Sequence, residues 1–355
     1  MLSLKQYFGF KASLVISTGL AFLLYGGLYL QSNGLVEGGQ DSYNHFLISK
    51  YAFKYPHLLL DQWGKPIYTL LAHPFCTFGL GAAVWFNILC TIFAAILCAL
   101  TSKKLGAHFA VAAFWICACS PIVLGKSISS LTEPLNMLAL SAAFYSWTID
   151  KKVIACILFS LMPWIRTEGF VIVFPFLVFL IIHKHFKLIP WLLSTTIIIN
   201  FIGWWQTGEP FWFITNNPYF LVETEADRFA PEGGSLLYYL KNNKFLFGNI
   251  FFPIAAFGAL WIGYRYWKGQ RNLGFTFWVI LGVFVAYYFA HSFIMWKGML
   301  GTHGMLRVMA VIVPSVAIAF SLFWNLFNAF NLKKLISAIL FIFISMGIFS
   351  SYKVN

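Results

Sequence analysis

The chain has 355 residues, of which 60% are apolar, 20% aromatic and only 10% charged. With a mean hydropathy of +0.78, the polar remainder is too small to clothe a water-soluble protein, which excludes a soluble enzyme or binding domain. The net charge of +13 does not point to nucleic acid, because the cations recur singly or in pairs between apolar runs and form no basic patch.

A helical crossing needs about 20 mostly apolar residues. That rule predicts an all-α polytopic membrane protein, a single transmembrane domain over 1–355. Its eleven or so helices fall near 10–31, 76–100, 107–125, 133–149, 153–165, 170–182, 188–206, 246–264, 274–294, 306–327 and 335–350. With the N-terminus in the cytoplasm, 13 of the 24 Lys and Arg residues fall inside, with Asp150 as their one acidic neighbour. The outside holds the other 11 basic residues and ten acids, as the positive-inside rule expects. The basic start and apolar run of the N-terminus suggest a signal peptide. The run is too long and lacks a small-residue cleavage site, so an uncleaved first helix is expected, in a bacterial inner (plasma) membrane. Cys76, Cys90, Cys98, Cys117, Cys119 and Cys156 lie in or beside apolar runs without metal-ligand spacing and read as buried thiols.

Residues 32–75 form the first outer loop. Gly34, Gly38 and Gly39 release the chain from the first helix. Tyr43, Leu47, Tyr51 and Tyr55 then recur every fourth residue, with Asp41, His45 and Ser49 at the same spacing on another face. This predicts a helix lying in the membrane interface and ended by Pro56. Asp41, at its start, reads either as a helix cap followed by Ser42 or as a functional carboxylate at headgroup level. Asp61 precedes the interface turn of Trp63 and Lys65, where site and scaffold readings are both open. His45, His57 and His73 lack zinc-type spacing and have interface histidine as their default.

Thr132, Glu133 and Pro134 carry helix-start chemistry: a capping threonine, an acid in the first turn and an early proline. Arg166 and Glu168 form a second outer turn at the same depth, so Glu133 and Glu168 are expected to complement helix dipoles and pair with Arg166. Arg166 itself is suited to hold a phosphate through paired N–H donors. The second large outer loop, 207–245, mixes Phe211, Trp212, Phe213, Tyr219 and Phe220 with Glu209, Glu223, Glu225, Asp227 and Arg228. Its rings suit either a sugar face or an interface belt, and its acidic run either a solvated loop or a divalent cation. Lys297, His303 and Arg307 bring cations to the outer end of a late helix, and Arg307 lies within an apolar run where an unpaired charge is costly.

The segments GGQDSYN, WGKP, TEP, RTEG and GMLRVMAVIVP together resemble the GT-C superfamily of integral-membrane glycosyltransferases. The resemblance implies a multi-span, mannosyltransferase-like enzyme that uses a polyprenyl-phosphate-linked sugar on the outer side, with an acid of the first outer loop as base. That acid is Asp41. Many members have adjacent acids there, whereas Ser42 follows Asp41 here.

The residues fit such chemistry on their own terms. A lipid-borne donor places its phosphate at the interface and needs no nucleotide pocket. The acceptor hydroxyl (lipid, glycan or protein) must lose a proton to a carboxylate such as Asp41. The departing polyprenyl phosphate needs positive charge, which Arg166, Arg307, Lys297 or His303 would supply. His45, Asp61, Trp63, Lys65, Glu133 and Glu168 complete the expected substrate-binding set. The rival reading is a multi-span transporter or lipid flippase, although no internal repeat is visible and the carboxylates avoid span centres.

Overall fold

The computed structural model describes residues 4–218, 234–249, 251–298 and 304–327. Among these the chain is built of helices and turns, with one isolated bridge between Glu37 and Ser129. Among the described residues, five stretches are long and apolar enough to cross a bilayer: Gly9–Gln31, Leu80–Lys104, Phe186–Thr207, Thr276–Lys297 and Leu306–Phe323. A sixth results if Ala110–Cys119 and Pro121–Ser127, bent by 58°, count as one. The fold is that of an all-α membrane protein.

α1 (Leu4–Gln31) and α10 (Ile189–Thr207) turn Val15, Ile16, Leu23 and Leu30, and Ile197, Phe201 and Trp205, to the exterior. Surfaces so apolar belong against lipid. α4 (Leu80–Lys104) packs on α5 (Ala110–Cys119) and α7 (Glu133–Thr148), and α7 on α8 (Lys152–Ile165). α8 in turn packs on α9 (Gly169–Ile182) and α10. α16 (Val313–Phe323), almost wholly buried, fills the middle against α4, α5 and α14 (Phe251–Trp267). α15 (Gly282–Lys297), continuous with a π-helical turn at Thr276–Leu281, lies along α9.

The helices differ from expectation in instructive ways. The crossing expected at 107–125 is broken at Ser120, whose extended ψ of 135° separates α5 from α6 (Pro121–Ser127). The residue before a proline avoids the α region. α8 and α9, with 14 residues each, reach only roughly 21 Å at 1.5 Å per residue, short of a full crossing. The span expected at 335–350 lies outside the described residues.

The first loop holds more structure than one interfacial helix. α2 (Gly39–Tyr51) ends before Pro56, which instead opens a 3-10 turn to Leu60. α3 (Pro66–Cys76) follows, and the next crossing begins only at Leu80. The two faces of α2 separate as their spacing demands: Tyr43, Leu47 and Tyr51 face outward, and His45 and Ser49 are buried.

The polar turns gather at two ends. At one, Trp147 stacks on Phe275 at 5.4 Å and meets the edge of His185, while Asn325 accepts from the His108 amide at 3.0 Å. At the other lie residues 32–38, 128–132, 166–168 and 306–307. Each of these contacts joins turns that the charge pattern assigns to one side.

Candidate active site at the acidic end

The loop between α6 and α7 is the platform of this end. Asn87 of α4 donates to the carbonyls of Ser129 and Leu131 at 2.7 and 2.8 Å. The start of the first loop then docks on it. The Glu37 amide donates to the Ile128 carbonyl at 2.9 Å, Lys126 Nζ pairs with Glu37 Oε2 at 2.7 Å, and Ser42 Oγ donates to the Glu37 carbonyl. Gly38, at φ +88°, makes the turn. A Cβ there would meet Leu131 Cδ1 at 2.6 Å, so only glycine allows the approach. This docking sets the first turn of α2, and with it Asp41, over the platform. The helix is capped by Gly38 without a side-chain bond, so Asp41 is not the cap.

The cluster alternates in charge. Arg307 Nη2 donates to Asp41 Oδ2, and Arg307 Nε lies 3.5 Å from Glu133 Oε1. The same Glu133 oxygen pairs with Arg166 Nη1 at 2.6 Å, and Arg166 Nη2 pairs with Glu168 Oε1 at 2.9 Å. Thr132 makes no capping bond; its Oγ1 accepts from Arg166 at 3.0 Å instead. The Glu133 side chain is 1% exposed, and its Oε2 has no hydrogen-bond partner. Asp41 and Glu168 keep 38% and 29% exposure, so the cluster is reached from outside at both ends of its charge chain.

Lys65 borders the cluster. It is buried, holds a positive φ of +67° that side chains rarely adopt, and donates through Nζ to Thr167 Oγ1 at 2.8 Å and the Gln62 carbonyl at 2.7 Å. Such backbone persists where the surroundings impose it. Burial lowers its pKa to about 8, with Glu168 opposing the shift and Arg166 adding to it. His45 stacks on Trp63 at 4.7 Å, and burial, with the charges of Lys65 and Arg166, lowers its pKa to about 3. It is therefore a neutral imidazole. Burial alone would raise Glu168, but the Arg166 charge wins and holds it at about 2.

Next to Lys65 lies a narrow crevice with room for about one water molecule, lined by Gln62, Lys65, Pro66, Trp164, Phe170 and Phe213 among others. It leads from α3 to Thr167, the neighbour of Arg166.

Of the expected site residues, Asp41, Glu133, Arg166, Glu168 and Arg307 meet in one cluster, with Lys65 and the His45–Trp63 stack beside it. Asp61 lies outside the cluster's ion pairs; its Oδ1 accepts the Gly64 amide at 2.7 Å and closes the turn. Lys297 is not in the cluster; it is exposed, with Nζ 4.1 Å above the Trp296 ring. His303 and the acidic run at 223–227 lie outside the described residues. Among the described residues no three His, Cys, Asp or Glu side chains are arranged to hold a metal, and the three cluster carboxylates are each turned to a guanidinium.

Sequence reasoning missed the Glu37–Lys126 pair and the polar face of α15. Tyr287 donates its hydroxyl to the Val308 carbonyl at 3.2 Å, and His291 lies 4.5 Å from the Tyr287 ring. The available signal was the i, i+4 spacing of polar side chains in an apolar helix. In comparisons with known proteins, the chain matches no family model, and no curated protein matches it.

Proposed function

We propose that the chain is a membrane glycosyltransferase of GT-C type, which moves a sugar from a polyprenyl-phosphate donor to an acceptor hydroxyl. The acidic end faces the extracytoplasmic side of a bacterial inner membrane, on the strength of the positive-inside pattern. The observation that carries this reading is the sharing of one Glu133 oxygen by Arg166 and Arg307 beside Asp41. Two guanidinium groups held on a common anchor make a ready cradle for a phosphate.

The donor phosphodiester carries one negative charge and would compete with Asp41 for Arg307. Once Arg307 turns to the phosphate, Asp41 is released to act as a base. Asp41 takes the proton of the acceptor hydroxyl as its oxygen attacks the anomeric carbon. The bond from that carbon to the phosphate oxygen breaks with its electron pair on the phosphate. The leaving polyprenyl phosphate gains a second negative charge, which Arg166 and Arg307 stabilise. One displacement inverts the anomeric centre.

Purified protein with a labelled polyprenyl-phosphate hexose tests this. Asp41→Asn is expected to abolish transfer while leaving the fold intact; transfer at the wild-type rate overturns the assignment. The α5–α6 break favours a second reading, since transporters use broken helices. Yet Lys126 at the end of α6 pairs with Glu37 of the first loop, so the break lies near the acidic end. Saturable hexose uptake into vesicles without any glycosylated product would establish the transporter.

A further inference from the structure

α15 is apolar enough to cross a membrane, yet it carries Tyr287, Tyr288, His291 and Ser292 in two adjacent i, i+4 rows. The first row is engaged: Tyr287 bonds the carbonyl of the residue after Arg307, and the His291 ring packs 4.5 Å from the Tyr287 ring. The second row is not. Tyr288 Oη and Ser292 Oγ are both buried, and neither has a hydrogen-bond partner. A helical serine can turn its hydroxyl to a carbonyl one turn back, but a tyrosine has no such local solution. Native proteins rarely leave buried hydroxyls unpaired unless something else satisfies them.

The surroundings indicate what that is. Phe252 stacks on Tyr288 at 5.9 Å, Phe284 lies 5.6 Å from the same ring, and the edge of Tyr239 lies 6.3 Å from it. Tyr239 also reaches within 6.2 Å of His291. Aromatic faces beside waiting hydroxyls match a ligand with C–H faces and several hydroxyls. We infer that the Tyr287–Ser292 face of α15 binds the hexose ring of the donor, with Tyr288 and Ser292 hydrogen-bonding its hydroxyls. The assignment of that hexose to a lipid-phosphate donor rests on the transferase reading above; the hexose site itself does not.

The test compares Tyr288→Phe and Ser292→Ala with wild type, measuring detergent melting curves with polyprenyl-phosphate mannose, polyprenyl-phosphate glucose, bare polyprenyl phosphate and methyl mannoside. Both variants are expected to melt at or above the wild-type temperature without ligand, because each loses a buried unpaired hydroxyl. Wild type is expected to bind a sugar-bearing lipid more tightly than the bare phosphate. Each variant is expected to lose about threefold to tenfold of that preference, and Arg307→Lys to weaken both lipids alike. If no lipid phosphate binds but methyl mannoside stabilises wild type and not Tyr288→Phe, the transferase reading fails and the hexose site stands. The inference is overturned if no sugar-bearing probe stabilises wild type, or if the variants melt lower while their sugar preference is unchanged.

Discussion

Arg307 donates a hydrogen bond to Asp41 across 266 residues of sequence, and so ties the start of the first loop to the run before the last described helix. In this arrangement the carboxylate is held by a cation that the proposed reaction needs elsewhere. Replacing Arg307 with alanine removes the partner of Asp41 and half of the phosphate cradle together. The expected loss in kcat is about 10²- to 10³-fold, the range for deleting one preorganised electrostatic donor. Arg307→Lys is expected to recover only part of it, because an ammonium is a point charge without the planar fork. Single-turnover transfer on matched donor concentrations reads both.

Glu133 is the hinge of the cluster, since one of its oxygens faces both arginines. Neutralising it leaves two guanidinium groups balanced only by Asp41 and Glu168. Removing one member of a buried ion network costs about 3–5 kcal/mol, so Glu133→Gln is expected to lower the melting temperature sharply. Glu168→Gln, at the half-exposed end of the chain of charges, is expected to cost less. Melting curves of the two variants in one detergent decide the order; equal losses would mean that Glu133 does not carry both arginines.

The pH behaviour follows from two groups. His45 has its pKa lowered from 6.5 to about 3, so between these values the unfolded chain takes up a proton that the folded chain refuses. Stability therefore falls as pH drops below about 6.5, by up to about 1.4 kcal/mol per pH unit from this residue. His45→Gln is expected to flatten the melting curve between pH 6.5 and 4.5. Lys65 loses its proton as pH rises through about 8. If its charge assists donor binding, transfer declines there, and Lys65→Arg is expected to push that decline to higher pH. Stability moves the opposite way, rising from about pH 8 to 10.5, because the unfolded lysine still holds the proton that the buried one has released.

Charge was legible in the sequence because it is rare. In a chain this apolar, Asp41, Glu133, Arg166, Glu168 and Arg307 each stand where an ion is costly unless something compensates it. Their meeting in one cluster was not legible, since it depends on contacts such as the 266-residue link of Asp41 to Arg307. Lys297 shows the limit: a cation at the end of α15 reads like Arg307, but it sits over Trp296 on the surface. α3 falls almost wholly within the expected loop of 32–75, because its 11 residues are too few for a crossing. The break at Ser120 had a local signal in Pro121. The strained backbone of Lys65 had none, because a positive φ at lysine is imposed by its packing.

Gly169 offers a test of how the cluster is held in place. It closes the hairpin between α8 and α9, and a Cβ there would collide with the Met162 carbonyl carbon and oxygen. Backbone atoms cannot rotate away as a side chain would. Gly169→Ala must therefore move α8 and α9 apart, and Arg166 and Glu168 sit on the turn between them. The expected outcome is a loss of transfer larger than the loss of stability, because about 1 Å of displacement is enough to misplace a reacting group. Gly9→Ala, where a Cβ meets nothing within 4 Å, is expected to be silent in both assays. Should Gly169→Ala retain full activity with an unchanged melting temperature, the hairpin is not what positions Arg166.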